Sequence, residues 1–300
     1  MTVEYESQGN NKAPAILTTP DFFVRLQVDS TTQLSIKRYK GQTIEVNGER
    51  VAVGSSGFTL LNTANLISAT GMDSGGAPAV TTLYYCYVSN SQASFAALGI
   101  LLSATAPVLV NGVYYLGNSG NALNWRFVGW VYTISNGGTV NFEDSITNRL
   151  CVNYYNRRPS SIYLTPAYAN ASGFTNYNFA PSNYAKINGG TGDTGSYIAN
   201  GEDNVDLQAV GTIASQVGVD SAIGIGDNTA TSAVVAAVSK GNNDVPLSCR
   251  YNSTPSVGFR NVYLLMYNPG IGNDTVYSAG PRGGSAVSPA LTYLTAVVQT

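Results

Sequence analysis

The chain has 300 residues, 44% apolar and 11% charged, with a formal net charge of −2 and no histidine. Ordinary globular proteins carry about 25% charged residues, so the polar surface here is built from Asn, Ser, Thr, Gly and Tyr, a neutral hydrogen-bonding skin suited to particle shells and carbohydrate contact. The charge balance argues against a phosphate-backbone binder, and the missing histidine removes Ser-His-Asp and Cys-His nucleophiles and Cys/His zinc from a single chain.

A mean hydropathy near zero fits a soluble globular protein long enough to bury a proper core. No stretch reaches the roughly 18 to 20 apolar residues of a membrane span, and Met1-Thr2-Val3-Glu4-Tyr5 has neither the basic nor the apolar run of a signal peptide. Synthesis in the cytoplasm, with no membrane insertion, is the expectation. Cys86, Cys151 and Cys249 form no C-x-x-C pattern. They are expected as buried free thiols on strands, the odd number leaving room for an intersubunit disulfide.

Residues 1–34 are punctuated by Ala13-Pro14 and Thr19-Pro20 and carry one apolar cluster, Phe22-Phe23-Val24-Arg25-Leu26. Two readings stand: an arm that fastens the protein to a larger particle through Phe22, Phe23 and Leu26, or a plain first edge strand. From residue 35 a period of two takes over. Ile44 and Val46 lead into Asn47-Gly48, a strong hairpin signal, with Val51 and Val53 returning after it. Strands are predicted at Phe58–Leu61, Thr81–Val88, Leu98–Leu102, Arg126–Thr133 and Leu150–Asn156, separated by Gly- and Asn-rich turns such as Asn136-Gly137-Gly138. Two compact basic groups, Lys37-Arg38-Tyr39-Lys40 and Arg157-Arg158, read as solvated strand ends or as a local subunit contact.

After Pro159 the texture changes, and the net charge goes from +1 in residues 1–158 to −3 in 159–300. Residues 164–202 read as a Tyr/Asn/Gly loop region, and its Tyr168, Tyr177, Tyr184 and Tyr197 are candidates for a subunit interface or for glycan contact. Strands resume at Val205–Val210, Ala222–Ile225, Ser232–Val238, Leu247–Tyr251, Asn261–Tyr267 and Leu291–Val298. No window shows a helical stripe, and turns recur about every 8 to 12 residues, as in a β-sandwich or barrel. The predicted fold is all-β, with two jelly-roll-like β-sandwich domains behind a short N-terminal arm.

Carboxylate chemistry is the remaining catalytic option, since a glycosidase needs only two carboxyl groups about 5 to 10 Å apart. Glu143-Asp144 and Glu202-Asp203-Asn204-Val205-Asp206 are the densest acidic groups. On a strand Glu143 and Asp144 point to opposite faces, whereas Asp203 and Asp206 offer oxygen ligands for calcium without a recognised loop pattern. The glycine-rich segments at 189–196 and 224–229 lack the endings of phosphate or dinucleotide loops and read as turns. No cofactor, catalytic residue or metal ligand is assigned.

Three aromatic-dense segments carry the strongest signal. They are Leu83-Tyr84-Tyr85-Cys86-Tyr87-Val88, then Trp125-Arg126-Phe127-Val128-Gly129-Trp130-Val131-Tyr132, and finally Phe142-Glu143-Asp144-Ser145 leading to Asn153-Tyr154-Tyr155-Asn156-Arg157-Arg158. Over roughly residues 35–158 this order resembles a module of tailed-bacteriophage structural proteins, with an LYYxY strand, a VGxxxT strand, an FxDS turn holding Asp144, and a YYNR strand. The second half is similar in pattern to terminal β-sandwich domains of phage fibres, through Gly224-Ile225-Gly226-Asp227, Leu247-Ser248-Cys249-Arg250-Tyr251 and Gly258-Phe259-Arg260-Asn261.

With residues 1–34 as the arm or edge strand read above, the resemblance implies a phage structural module at 35–158 and a fibre-tip or particle-surface domain at 159–300. It implies a non-enzymatic virion protein, a homo-oligomer and most simply a homotrimer, bound to other virion proteins of the capsid or tail. A compact tail fibre touching host surface glycan is the leading expectation. The alternatives are a head-fibre protein decorating and stabilising the capsid and, in another class, a tailspike-like glycan depolymerase.

Overall fold

The computed structural model describes residues 24–39, 41–72, 74–91, 99–165, 174–177, 185–186, 194–214, 220–240, 245–267, 274–277 and 292–300. These residues are all-β, with one short 3-10 turn at Gly120–Asn124. The first half runs β1 (Val24–Ser30), β2 (Gln33–Arg38), β3 (Thr43–Val46), β4 (Glu49–Ala52), β5 (Phe58–Leu61), β6 (Leu83–Ser89) and β7 (Ile100–Ser103). It continues with β8 (Val108–Val110), β9 (Val113–Tyr115), β10 (Trp125–Asn136), β11 (Thr139–Phe142), β12 (Asn148–Arg149) and β13 (Cys151–Asn153). The second half holds β14 (Pro159–Leu164), β15 (Phe174–Tyr177), β16 (Ala185–Lys186), β17 (Thr194–Ala199), β18 (Val205–Ala214) and β19 (Asp220–Asp227). It ends with β20 (Val235–Lys240), β21 (Val245–Ser253), β22 (Gly258–Tyr267), β23 (Asp274–Tyr277) and β24 (Tyr293–Gln299).

Local turn chemistry fixes the register of the hairpins. Asn47-Gly48 joins β3 to β4 with φ of 49° and 79°, and Asn111-Gly112 joins β8 to β9 with 51° and 82°. Two consecutive left-handed residues make a type I′ turn, whose twist matches the flanking strands. The Asn47-Gly48 hairpin agrees with the sequence expectation; Asn111-Gly112 carries the same signal and forms a second hairpin that the expectation does not include.

The first half is organised around a seven-stranded sheet in the order β7-β6-β10-β9-β8, with β11 and β13 also pairing to β10. One face meets the small sheet β1-β2-β5 and the β3–β4 hairpin: Val24, Leu26, Ile36, Ile44 and Val51 pack with Cys86, Leu102, Val128 and Val131. The other face carries Tyr85, Tyr87, Trp125, Phe127 and Trp130. Because both faces are covered, β6 is apolar on alternate residues of either parity, which is why its sequence shows little polar interruption.

A bulge in β10 re-aims its aromatics. Phe127 pairs with Tyr87 and Gly129 with Cys86, so Val128 is the extra residue on that strand. The shift brings Phe127 and Trp130 to the same face, with ring centroids 4.8 Å apart, although their spacing of three would place them on opposite faces of a regular strand. Gly129 is required there: a Cβ would lie 2.1 Å from the Val152 carbonyl oxygen of the neighbouring β13. Further along the same strand, the Thr133 hydroxyl donates to the Ala79 carbonyl at 2.7 Å and accepts from the Thr82 N–H at 3.0 Å.

The second half is a β-sandwich of two six-stranded sheets, β14-β24-β18-β23-β15 with β21 on β18, and β12-β17-β22-β19-β20 with β16 on β22. Inward residues alternate along the strands: Val205, Leu207 and Ala209 of β18 meet Ile223, Leu264 and Leu294, while Asp206 and Gln208 point outward.

The halves are interlaced. The two core clusters fall on either side of Pro159, yet β12 leaves the first half to pair in parallel with β17, Asn148 opposite Ser196 and Arg149 opposite Tyr197. Arg158 and Thr300 exchange two backbone hydrogen bonds of 2.9 Å, tying the junction to the end of the chain.

The arm expected over residues 1–34 is revised from residue 24 onward. Of the two sequence readings, the edge strand holds there, since β1 is the outer strand of the β1-β2-β5 sheet. Leu26, a candidate anchor, is 2% exposed and belongs to the first core, because Val24 and Leu26 share the inward face of β1. Phe22 and Phe23 lie outside the described residues.

Candidate functional site

The motif residues converge where the halves meet, and each has a definable task. Asn153 staples the first strand: the Leu26 N–H donates to Asn153 Oδ1 at 2.7 Å, and Asn153 Nδ2 donates back to the Leu26 carbonyl at 2.9 Å. Asn156 Nδ2 adds a bond to the Val24 carbonyl at 2.6 Å. Tyr155 lies 4.6 Å from the guanidinium of the buried Arg126, whose Nη1 also donates to the Glu45 carbonyl at 2.5 Å. Arg157 reaches the other half, with Nη2 2.8 Å from Glu202 Oε2 and Nη1 2.7 Å from Asp203 Oδ2, and its guanidinium lies 5.5 Å from the Tyr154 ring centre.

The FxDS turn differs from the expectation for Asp144. Glu143, not Asp144, holds the turn, accepting from Ser145 Oγ at 2.7 Å and Asn148 Nδ2 at 2.8 Å. Asp144 instead faces Arg149 at 3.5 Å. Glu143 follows the end of β11, so the opposite-face rule for strand residues does not govern the pair.

Beside this junction lies a cleft of about 220 Å³. Its walls are Tyr85, Tyr114, Phe127, Trp130 and Tyr154 of the first half, and its rim includes Asn200, Glu202 and Val257 of the second. Phe127 and Trp130 are nearly fully buried and anchor the wall, while the three tyrosines are half-buried. Tyr114 meets Tyr154 edge-on at 5.2 Å, and Tyr154 lies 5.4 Å from Phe127, so the rings lock one another in place. The Trp130 indole N–H has no hydrogen-bond partner among the described residues.

The polar rim is equally fixed. Asn200 Oδ1 accepts the N–H groups of Glu202 at 3.0 Å and Asp203 at 2.9 Å, a side-chain turn that sets Glu202 at the mouth. The Glu202 side chain is 47% exposed, with the Tyr154 hydroxyl donating to its Oε1 at 3.5 Å. Burial, helped by the Glu202 carboxylate, pushes the Tyr154 phenol up to about 12, so it stays a hydrogen-bond donor at neutral pH. Ligand pockets usually enclose about 300 to 1,000 Å³, so this cleft has room for a single ring rather than an extended ligand.

The residues nominated from sequence fall elsewhere. Tyr197 sits on β17 and is 1% exposed in the second core, where burial raises its phenol well above the ordinary tyrosine range. It is a packing residue, not a loop contact. Tyr177 ends β15, but its side chain, like Tyr168 and Tyr184, lies outside the described residues. Asp203 and Asp206 do not share a calcium site: Asp203 pairs with Arg157, and Asp206 takes two bonds from Arg250, at 2.7 and 2.5 Å. Among the described residues no group of three His, Cys, Asp or Glu is placed to hold a metal ion. The three cysteines are buried free thiols on β6, β13 and β21. None of the five cleft rings is among the sequence candidates, although Tyr85, Phe127, Trp130 and Tyr154 belong to the motif segments; Tyr114 follows the Asn111-Gly112 turn.

No family model matches the chain, and no curated protein matches its sequence. Among solved structures, one of infectious bursal disease virus strain Gx aligns with 93% of this chain and 73% of its own at 12% identity, with a TM-score of 0.25. A structure of the Gt strain aligns with 93% of this chain and 76% of its own at 12% identity and a TM-score of 0.24. A likeness this slight carries no inference about the chain.

Proposed function

We propose that the protein is a non-enzymatic component of a virus particle, a compact fibre of the tailed-phage kind that touches host-surface carbohydrate through the aromatic cleft. The observation that carries this reading is the cleft itself: four rings from the three motif segments and Tyr114 of β9, held rigid by mutual contacts, beside one exposed carboxylate. Aromatic faces stack on the apolar faces of sugar rings, and a carboxylate accepts from hydroxyls, so this lining suits one monosaccharide unit. The scarcity of charge and the ordered aromatic motifs, which resemble phage structural modules, point the same way.

A depolymerase reading is less well supported. Glycoside hydrolysis needs two carboxyl groups about 5 to 10 Å apart across the bond, and among the described residues Glu202 is the one carboxylate lining the cleft. Glu202 and Asp203 also share the Arg157 guanidinium, which suits a structural ion pair between the halves. Assembly into an oligomer, proposed as a homotrimer in contact with copies or virion partners, follows from the resemblance to phage fibres.

The test is adsorption. Purified wild-type protein is expected to compete with virions for host cells and to release no reducing sugar from host glycan. Cleavage of that glycan, lost on Glu202→Gln, would replace the structural reading with the enzymatic one.

A further inference from the structure

The two basic groups that stand apart in the sequence, around Lys37-Arg38 and at Arg157-Arg158, are brought to one place. Arg25 of β1, Lys37 and Arg38 of β2 and Arg158 at the junction line a single polar cavity of about 280 Å³, together with Asp144. The whole chain has only 15 Lys and Arg, so four around one cavity is a marked concentration of like charge.

Part of that charge is already answered. Lys37 pairs with Asp29 at 2.7 Å, and Arg38 Nε donates to the Val53 carbonyl at 2.7 Å. Asp144 is engaged by Arg149 at 3.5 Å. The guanidiniums of Arg25 and Arg158 make no hydrogen bond among the described residues. Burial and the proximity of Arg158 push Arg25 below the usual arginine range, the signature of two cations sharing a confined space. Their planar forks offer paired donors to an oxyanion.

We propose that this cavity, distinct from the aromatic cleft, is a binding site for one small oxyanion, a sulfate, phosphate or sugar carboxylate, gripped by Arg25 and Arg158. Asp144 opposes the ligand and tunes the site. Burial raises its carboxyl above the ordinary range, against the pull of Arg149, Arg25 and Arg158; the Cys151 thiol also faces it, and the Tyr39 phenol lines the same cavity. Protonation below that raised value removes the one negative charge lining the cavity, so anion affinity grows as pH falls.

The experiment titrates sodium sulfate, and separately sodium glucuronate, into the full chain by calorimetry, with sodium chloride holding ionic strength constant. One saturable site is expected, weakened about tenfold by Arg158→Gln, the loss of one charged hydrogen-bonding partner. Asp144→Asn is expected to bind more tightly at neutral pH and to lose the pH dependence. Binding of both anions at one site gives the general oxyanion; preference for glucuronate over sulfate assigns it to acidic sugar. Arg158 is exposed, so its variant keeps the fold. A folded Arg158→Gln protein that binds both anions as wild type does, or wild type with no saturable binding of either, overturns the proposal.

Discussion

The two halves bury their sheets with different materials. In the second, two six-stranded sheets close on Ile, Leu, Val, Ala and Met, and Tyr197 is the one aromatic among the fully buried members of that core. In the first, the seven-stranded sheet has an aliphatic face against the small sheet and a second face covered in Tyr, Phe and Trp. Aliphatic side chains interdigitate and leave no space between sheets. The aromatic face is covered in part by Ile67, Leu116 and Ala122 of the first half, and in part by the second half, through Ile198 and through Phe259, which stacks on Tyr132 at 3.9 Å. What it leaves uncovered is the cleft. A surface built of rings with polar tips tolerates partial exposure, and so is free to meet something else.

That contrast is broken most severely by removing the strand that completes the first core. Deleting residues 1–34 takes away Val24, Leu26 and Leu34, all fully buried, and is expected to abolish the cooperative unfolding transition of the first half. A deleted protein that retains the wild-type thermal transition would show that β1 is dispensable. Next comes Gly129→Ala, whose Cβ would overlap the Val152 carbonyl oxygen. Forcing β13 from β10 should cost roughly 4 kcal/mol or more in urea unfolding, among the largest single-residue effects.

Asn153→Leu should follow, because it leaves the Leu26 N–H and carbonyl without their partners inside the protein. Each unsatisfied buried group costs about 1 to 3 kcal/mol. Denaturant unfolding of this variant against Asn156→Leu, which loses the bond to the Val24 carbonyl, grades the contribution of the staple. The smallest effect is expected from Arg157→Ala. Its ion pairs with Glu202 and Asp203 are partly exposed, worth about 1 kcal/mol or less and weakened by salt. Its distinct readout is coupling: the two halves should unfold less cooperatively, most visibly at low ionic strength.

Much of the strand content was legible because one-sided burial leaves a period of two. Val205-Leu207-Ala209 and the Asn47-Gly48 hairpin are plain in the sequence. The failures have a common cause. Thr194–Ala199 looks like loop in the sequence because Ser196, Tyr197, Ile198 and Ala199 are buried on both faces of the strand, which erases the alternation. Tyr197 turns to the sandwich core and Ile198 to the aromatic cluster. The same is true of the cleft. Periodicity puts Phe127 and Trp130 on opposite faces, and only the bulge at Val128 unites them. Nothing local links Tyr85, Tyr114 and Tyr154 to Glu202; pairing of distant strands and the Arg157 bridge do that. The basic cavity was half visible, as two clusters, but their meeting depends on the hairpin of β1 and β2 lying beside the end of β13.

The central claim is that the uncovered aromatic face holds a sugar ring. The direct measurement is calorimetric titration of host-surface oligosaccharide into the full chain and into Tyr114→Ala and Tyr154→Ala, with circular dichroism as the check on folding. Ring contacts of this kind contribute about 0.5 to 1.5 kcal/mol each, so either variant should bind roughly two- to tenfold more weakly with its β-sheet signal intact. Equal affinity in wild type and both folded variants would contradict it.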